Sequence, residues 1–153
     1  SFTGDLATAT RNPAGNQSVL LGTTLVYLAF NDGTGWELCA YDTNGGDSFL
    51  LRDLRLDNPS DGSYPRGFTL LGDKAVFGAS DDATGTTDLW VTDGTAAGTI
   101  KLREGFTPTY LASLGDRAVY IDRDPANAAA NALFVTDGTG AGTRVLQGGL
   151  GTG

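Results

Sequence analysis

Eighteen carboxylates and no histidine set the chemistry open to this 153-residue chain. Without His there is no common general base at neutral pH, no partner to activate a Ser or Cys nucleophile, and no usual transition-metal ligand. Cys39, the one cysteine, permits neither an internal disulfide nor a thiolate metal set. Acid–base work would fall to Asp and Glu alone, as in glycoside hydrolysis, where two carboxyl groups flank the scissile bond. The densest pairs are Asp81-Asp82 and Asp122-x-Asp124, each in a stretch that reads as a loop between two strands, so solvated charge is the expected role ahead of catalysis. The same oxygens, together with Asn31-Asp32-Gly33, leave calcium as the one cofactor that the composition admits. No EF-hand or Gly-Gly-x-Gly-x-Asp pattern is met, and no phosphate-cradling loop ends in Lys-Ser/Thr. The expectation is no catalytic residue, no resident cofactor and no metal.

Composition decides what must position these acids. Asp outnumbers Glu 16 to 2, and 23 glycines accompany them. Asp prefers turns and Glu prefers helices, so the balance points to many turns and little helix. The net charge of −8 would repel nucleic acid and anionic membranes, which excludes partners of that kind. No apolar run approaches the roughly 18 residues of a membrane span, and no charged segment precedes a short apolar one as in a signal peptide. With 40% hydrophobic residues the chain suits one domain. It contains no Met and begins at Ser1, which predicts a processed or partial unit.

An internal repeat supplies the architecture. Leu89-Trp90-Val91-Thr92-Asp93-Gly94-Thr95-Ala96-Ala97-Gly98-Thr99 nearly coincides with Leu133-Phe134-Val135-Thr136-Asp137-Gly138-Thr139-Gly140-Ala141-Gly142-Thr143, 44 positions on. A third copy, Leu38-Cys39-Ala40-Tyr41-Asp42-Thr43-Asn44-Gly45-Gly46-Asp47-Ser48, keeps the Leu, the Asp and the Gly-rich bend. A second landmark moves with the first: Leu20-Leu21-Gly22, Leu70-Leu71-Gly72 and Ser113-Leu114-Gly115, each followed by a short β-branched and aromatic run of the kind buried strands carry. Four strands per unit follow, at about 67–71, 74–80, 87–92 and 99–103 in the second unit. Gly72-Asp73 and Gly115-Asp116 have the form of two-residue hairpin links, whereas Asp81–Thr86 and Asp122–Asn131 read as longer loops of variable length.

The bend itself has a structural explanation. An Asp carboxylate accepts hydrogen bonds from backbone N–H groups two residues on, and glycine takes conformations closed to other residues. Asp42, Asp93 and Asp137, with Gly94, Gly98, Gly138 and Gly142, are therefore expected to shape turns.

The stretch Asp88-Leu89-Trp90-Val91-Thr92-Asp93-Gly94-Thr95 resembles the ELWxxDGT repeat of secreted and surface proteins of bacteria, with Asp88 in place of Glu. Glu37-Leu38 with Cys39, and Ala132-Leu133-Phe134, are degenerate copies of the same motif. The segment from Arg52-Asp53-Leu54 to Ser63-Tyr64-Pro65, leading into Phe68-Thr69-Leu70-Leu71-Gly72, is similar to that family's inter-repeat linker. The resemblance implies an extracellular or cell-surface bacterial setting.

Four antiparallel strands in each unit of this period correspond to a β-propeller blade, with the third-strand aromatic as wedge between blades. Trp90, Phe134 and their counterpart Cys39 are the expected inter-blade residues. The expected fold is all-β, with three four-stranded antiparallel propeller-like blades in units of about 18–55, 66–105 and 108–147. Propellers close with four to eight blades, so the set is incomplete or is completed by other chains: the remainder of a longer chain, or further copies in a homo-oligomer. Residues 1–17 form an N-terminal extension able to add a strand to a sheet edge, and the Gly-rich residues 148–153 read as a tail. Function is expected to be non-catalytic adhesion or interaction with a protein or glycan surface. The alternatives are a self-assembling subunit of a filament or ring and a carbohydrate-binding or carbohydrate-hydrolysing propeller, the last requiring exposed Trp36, Tyr64 or Tyr110 beside carboxylates.

Overall fold

The computed structural model describes residues 17–58, 61–105 and 110–151, and every regular element among them is a strand. The expected N-terminal extension lies outside the described residues, save for Gln17. The elements are β1 (Ser18–Leu21), β2 (Thr24–Asn31), β3 (Gly35–Asp42), β4 (Ser48–Arg52), β5 (Arg66–Leu71), β6 (Lys74–Ala79), β7 (Asp88–Thr92), β8 (Ile100–Arg103), β9 (Tyr110–Ser113), β10 (Ala118–Asp124), β11 (Asn127–Thr136) and β12 (Arg144–Leu150). They form three antiparallel four-stranded meanders, β1–β4, β5–β8 and β9–β12, here called blades 1, 2 and 3. The first strands approach one another in series, β1 to β5 and β5 to β9, as in a propeller.

Strand alternation gives each blade two faces, and the hydrophobic pattern fills both. The face of blade 1 that carries Val26, Leu38 and Ala40 packs on the face of blade 2 that carries Phe68, Phe77 and Trp90. The opposite face of blade 2, with Val76, Leu89 and Val91, packs on Tyr120 and Phe134 of blade 3. Phe68 stacks on Phe77 at 5.1 Å and Tyr120 on Phe134 at 5.0 Å. Blades 2 and 3 thus each turn an aromatic leading face to the blade before, and blades 1 and 2 each turn an aliphatic trailing face to the blade after.

Two sequence expectations are corrected here. The stretch Asp122–Asn131 is not a loop: β10 runs to Asp124, β11 starts at Asn127, and the turn is Pro125-Ala126. The Asp124 carboxylate closes it by accepting the Ala126 N–H at 2.8 Å, and Pro suits the tight reversal. Gly148, Gly149 and Leu150 are likewise strand rather than tail. Leu150 pairs with Asn131, and Asp124 also accepts the Gly149 N–H at 2.8 Å. Lengthened β10 and β11 give β12 a ladder to follow.

Candidate functional site

The Asp-Gly bends are built twice with the same bonds. Asp93 Oδ1 accepts the Thr95 N–H at 2.9 Å and its hydroxyl at 2.6 Å, and Asp137 does the same with Thr139. The hydroxyls of Thr92 and Thr99 meet at 2.8 Å, as do those of Thr136 and Thr143. The Thr95 and Thr139 hydroxyls accept the N–H groups of Gly98 and Gly142. A Cβ at Gly98 would lie 2.1 Å from the Asp93 carboxylate, and one at Gly142 1.9 Å from that of Asp137, so a side chain at either place must displace the acid. Gly94 and Gly138 take φ of +88° and +83°, where a side chain is strained. In blade 1 the Asp42 carboxylate accepts the Asn44 N–H at 3.0 Å and the Asp42 carbonyl accepts those of Gly45 and Gly46, with Thr43, Asn44 and Asp47 standing where the other bends have Gly, Thr and Gly. The Thr hydroxyls hold the Asp93 and Asp137 carboxyls below the usual carboxylate range.

Trp90 and Phe134 stand between blades, in clusters shared with blades 1 and 2 respectively. Cys39 departs from the expected inter-blade place. It pairs with Tyr27 in the ladder and is buried in a cluster drawn only from blade 1, because its face is the leading face of the first blade. Burial pushes its thiol up to about 12, so no reactive thiolate exists near neutral pH.

The buried acids outside the bends are engaged. Glu37 is 0% exposed, and its carboxylate gathers three donors from the segment after blade 1: the Leu54 N–H at 3.2 Å, the Ser63 N–H at 2.7 Å and the Ser63 hydroxyl at 2.5 Å. Burial outweighs those donors and raises the carboxyl to about 7. Asp88, its counterpart in blade 2, accepts the Gly105 N–H at 2.8 Å and faces Lys101 at 3.4 Å, and burial raises it too. In blade 3 the counterpart is Ala132, and the acid moves across the ladder to its pairing partner Asp122, buried and 3.3 Å from Arg103 of blade 2. Ladder pairs Ala29↔Glu37, Ala79↔Asp88 and Asp122↔Ala132 thus each hold one small residue and one acid.

Asp122 and Asp124 are therefore buried strand residues rather than solvated loop charge. Asp81 does sit in the β6–β7 loop but is held by Lys101 at 2.7 Å, and Asp82 binds the N–H and hydroxyl of Thr84 two residues on. Asn31 Oδ1 accepts the Gly33 N–H. No group of three or more His, Cys, Asp or Glu able to hold a metal stands among the described residues.

The sequence did not single out Glu37 as a clamp. Ser63 lies 26 positions away, and the only signal was an acid set into an otherwise apolar strand.

Of the aromatics, Phe30 and Trp36 meet edge-on at 5.7 Å, and Tyr64, at φ +50°, donates its N–H to the Trp36 carbonyl at 3.1 Å. Phe30 and Tyr64 are exposed. The glycines Gly35 and Gly62 allow this approach, since a Cβ on Gly35 would lie 2.5 Å from the Gly62 nitrogen. Tyr110 lies in β9, in another blade.

No family model and no curated protein matches the chain. Among solved structures, a protein of Agrobacterium tumefaciens described as a candidate TolB aligns with 86% of this chain at 18% identity and a TM-score of 0.49. The alignment covers 48% of that protein, so the chain spans about half its length.

Proposed function

We propose that this chain is a non-catalytic interaction module of a bacterial surface or secreted protein, with repeats of the ELWxxDGT type serving as a scaffold for adhesion or assembly. The observation that carries this reading is the employment of the buried acids. Glu37, Asp88 and Asp124 hold backbone N–H groups of neighbouring segments, and Asp122 holds a cation of the preceding blade. Each is tied to the framework at the atoms an acid–base catalyst would turn to substrate. The test is binding without turnover. Beads coated with the chain are presented to bacterial cells and to a glycan array, while a polysaccharide panel is followed for hydrolysis. Retention on a surface with no hydrolysis is expected. Hydrolysis that Glu37→Gln or Asp122→Asn abolishes would overturn the assignment, as would silence on every surface.

A second reading, glycan binding, is favoured by the exposed Phe30 and Tyr64 beside Trp36, with Asp61 exposed on the same loop as Tyr64. Stacking of sugar rings on such a platform predicts that Trp36→Ala and Tyr64→Ala each remove array binding while leaving attachment to protein surfaces intact.

A further inference from the structure

Each internal junction joins the same parts. The trailing side of a blade contributes a Leu before the hairpin Gly, a residue just after the hairpin, and a fourth-strand side chain opposite the third-strand Leu. The following blade contributes its bend and its leading face. At the first junction Leu21 and Thr24 lie against Gly94, and Arg52 donates to the carbonyls of Ala96, at 3.2 Å, and Thr99. At the second, Leu71 and Lys74 lie against Gly138, while Arg103 reaches Asp122 at 3.3 Å and stands 4.2 Å over the Phe134 ring. The ladder fixes the correspondence, because Arg52 pairs with Leu38, Arg103 with Leu89 and Gln147 with Leu133.

Blade 3 carries the same trailing parts, Leu114, Arg117 and Gln147, and among the described residues no blade covers them. Leu114 is 63% exposed, against 7% for Leu21 and 3% for Leu71. Gln147 is exposed, and Val119, Ile121 and Leu133 are half-buried where their counterparts in blades 1 and 2 are buried.

We propose that this trailing edge of blade 3 docks the leading edge of blade 1 of a second copy of the chain, head to tail. The chain holds both halves of the joint. The bend Asp42–Ser48, counterpart of the two bends that dock internally, is exposed from Asp42 to Asp47. Its carboxylates Asp42 and Asp47 complement Arg117, which occupies the place from which Lys74 meets the bend of blade 3. Three blades from each of two copies make six, inside the four to eight that close a propeller, and a two-copy ring makes the joint twice. The inference rests on the interaction-module reading and deepens it by naming the partner.

Sedimentation of the full chain at micromolar concentration is expected to give twice the 15.8 kDa of one chain. Leu114→Asp, a substitution at an exposed site, leaves the melting temperature of the isolated chain unchanged and weakens association by at least about a hundredfold, because it sets a carboxylate in an apolar joint. Asn44→Trp, at the bend, weakens it comparably by bulk. Mixing the two variants restores pairing, since one intact trailing edge then meets one intact leading edge, and energy transfer between dye-labelled copies reports it. A single-chain mass for the unmodified protein, a two-chain mass for Leu114→Asp or no restoration on mixing would each overturn the proposal. So would loss of pairing on deletion of residues 1–16, which would make that segment the occupant. Cell or glycan binding by a single-chain protein would leave the module reading standing while this joint fell.

Discussion

Glu37 is the residue whose titration the fold carries into the neutral range. Its carboxyl rises from 4.5 to about 7 on burial, so the folded chain keeps a proton that the unfolded chain has released. Stability therefore falls as pH rises from about 4.5 to 7, with a slope of up to about 1.4 kcal/mol per pH unit, and levels off above that range. With no His in the chain, little else titrates there. Asp88, raised in the same direction, adds to the lower part of the window. Glu37→Gln is expected to flatten most of this dependence and to cost about 1–3 kcal/mol by setting an amide donor against one of the buried Leu54 and Ser63 N–H groups. Urea melts of both proteins at half-unit pH steps measure the slope and the offset together. A second prediction at this scale concerns the bends. Gly98→Ala and Gly142→Ala drive a Cβ into the acid above and break its bonds to Thr95 and Thr139, costing about 1–3 kcal/mol each, whereas Gly140→Ala, with open space around it, changes stability by less than about 0.5 kcal/mol. Thermal melts at one pH rank the three; equal effects would show that the acid swings aside.

Among the elements, Arg103 carries one junction from β8 of blade 2 into blade 3. Arg103→Ala leaves the buried Asp122 without its cation and strips the Phe134 face, which is expected to cost about 3 kcal/mol. Asp122→Asn in the same chain recovers part of that loss, and a double-mutant cycle in urea returns a coupling above about 1 kcal/mol. Additive losses would mean that the pair does not bind the blades. The strands themselves were legible wherever local sequence dictates them. The Leu-Gly landmark placed the hairpins β5–β6 and β9–β10, and the recurring Asp-Gly-Thr bend placed β7–β8 and β11–β12. The extension of β10 and β11 was not legible, because Asn127-Ala128-Ala129-Ala130-Asn131 lacks the β-branched and aromatic residues that mark strands. That segment is held by pairing and by Asp124 instead. The exchange of acid and alanine between Asp122 and Ala132 was equally hidden: it becomes visible only once the register is known, since the two lie ten positions apart in sequence and opposite each other in the ladder.

At the level of the whole molecule, charge and repeat pull in opposite directions. Eighteen acids against ten bases leave a net charge of −8, and the ion pairs among the described residues include Arg55 with Asp57 and Asp61, the Lys101 cluster with Asp81, Asp88 and Glu104, and Arg103 with Asp122. The blades adhere through apolar faces, which salt does not screen, while the uncompensated acids repel one another across the surface, which salt does screen. Raising NaCl from about 10 to about 150 mM shortens the screening length from roughly 30 to 8 Å. Folding stability is therefore expected to increase by on the order of 1 kcal/mol, or roughly 2–4 °C in melting temperature for a chain of this size. Calorimetry on Leu114→Asp, which removes the joint between copies, isolates this intrachain term from association. A melting temperature that falls with salt would place the weight of the fold on its ion pairs, above all on Lys101 with Asp81 and Asp88 and on Arg103 with Asp122.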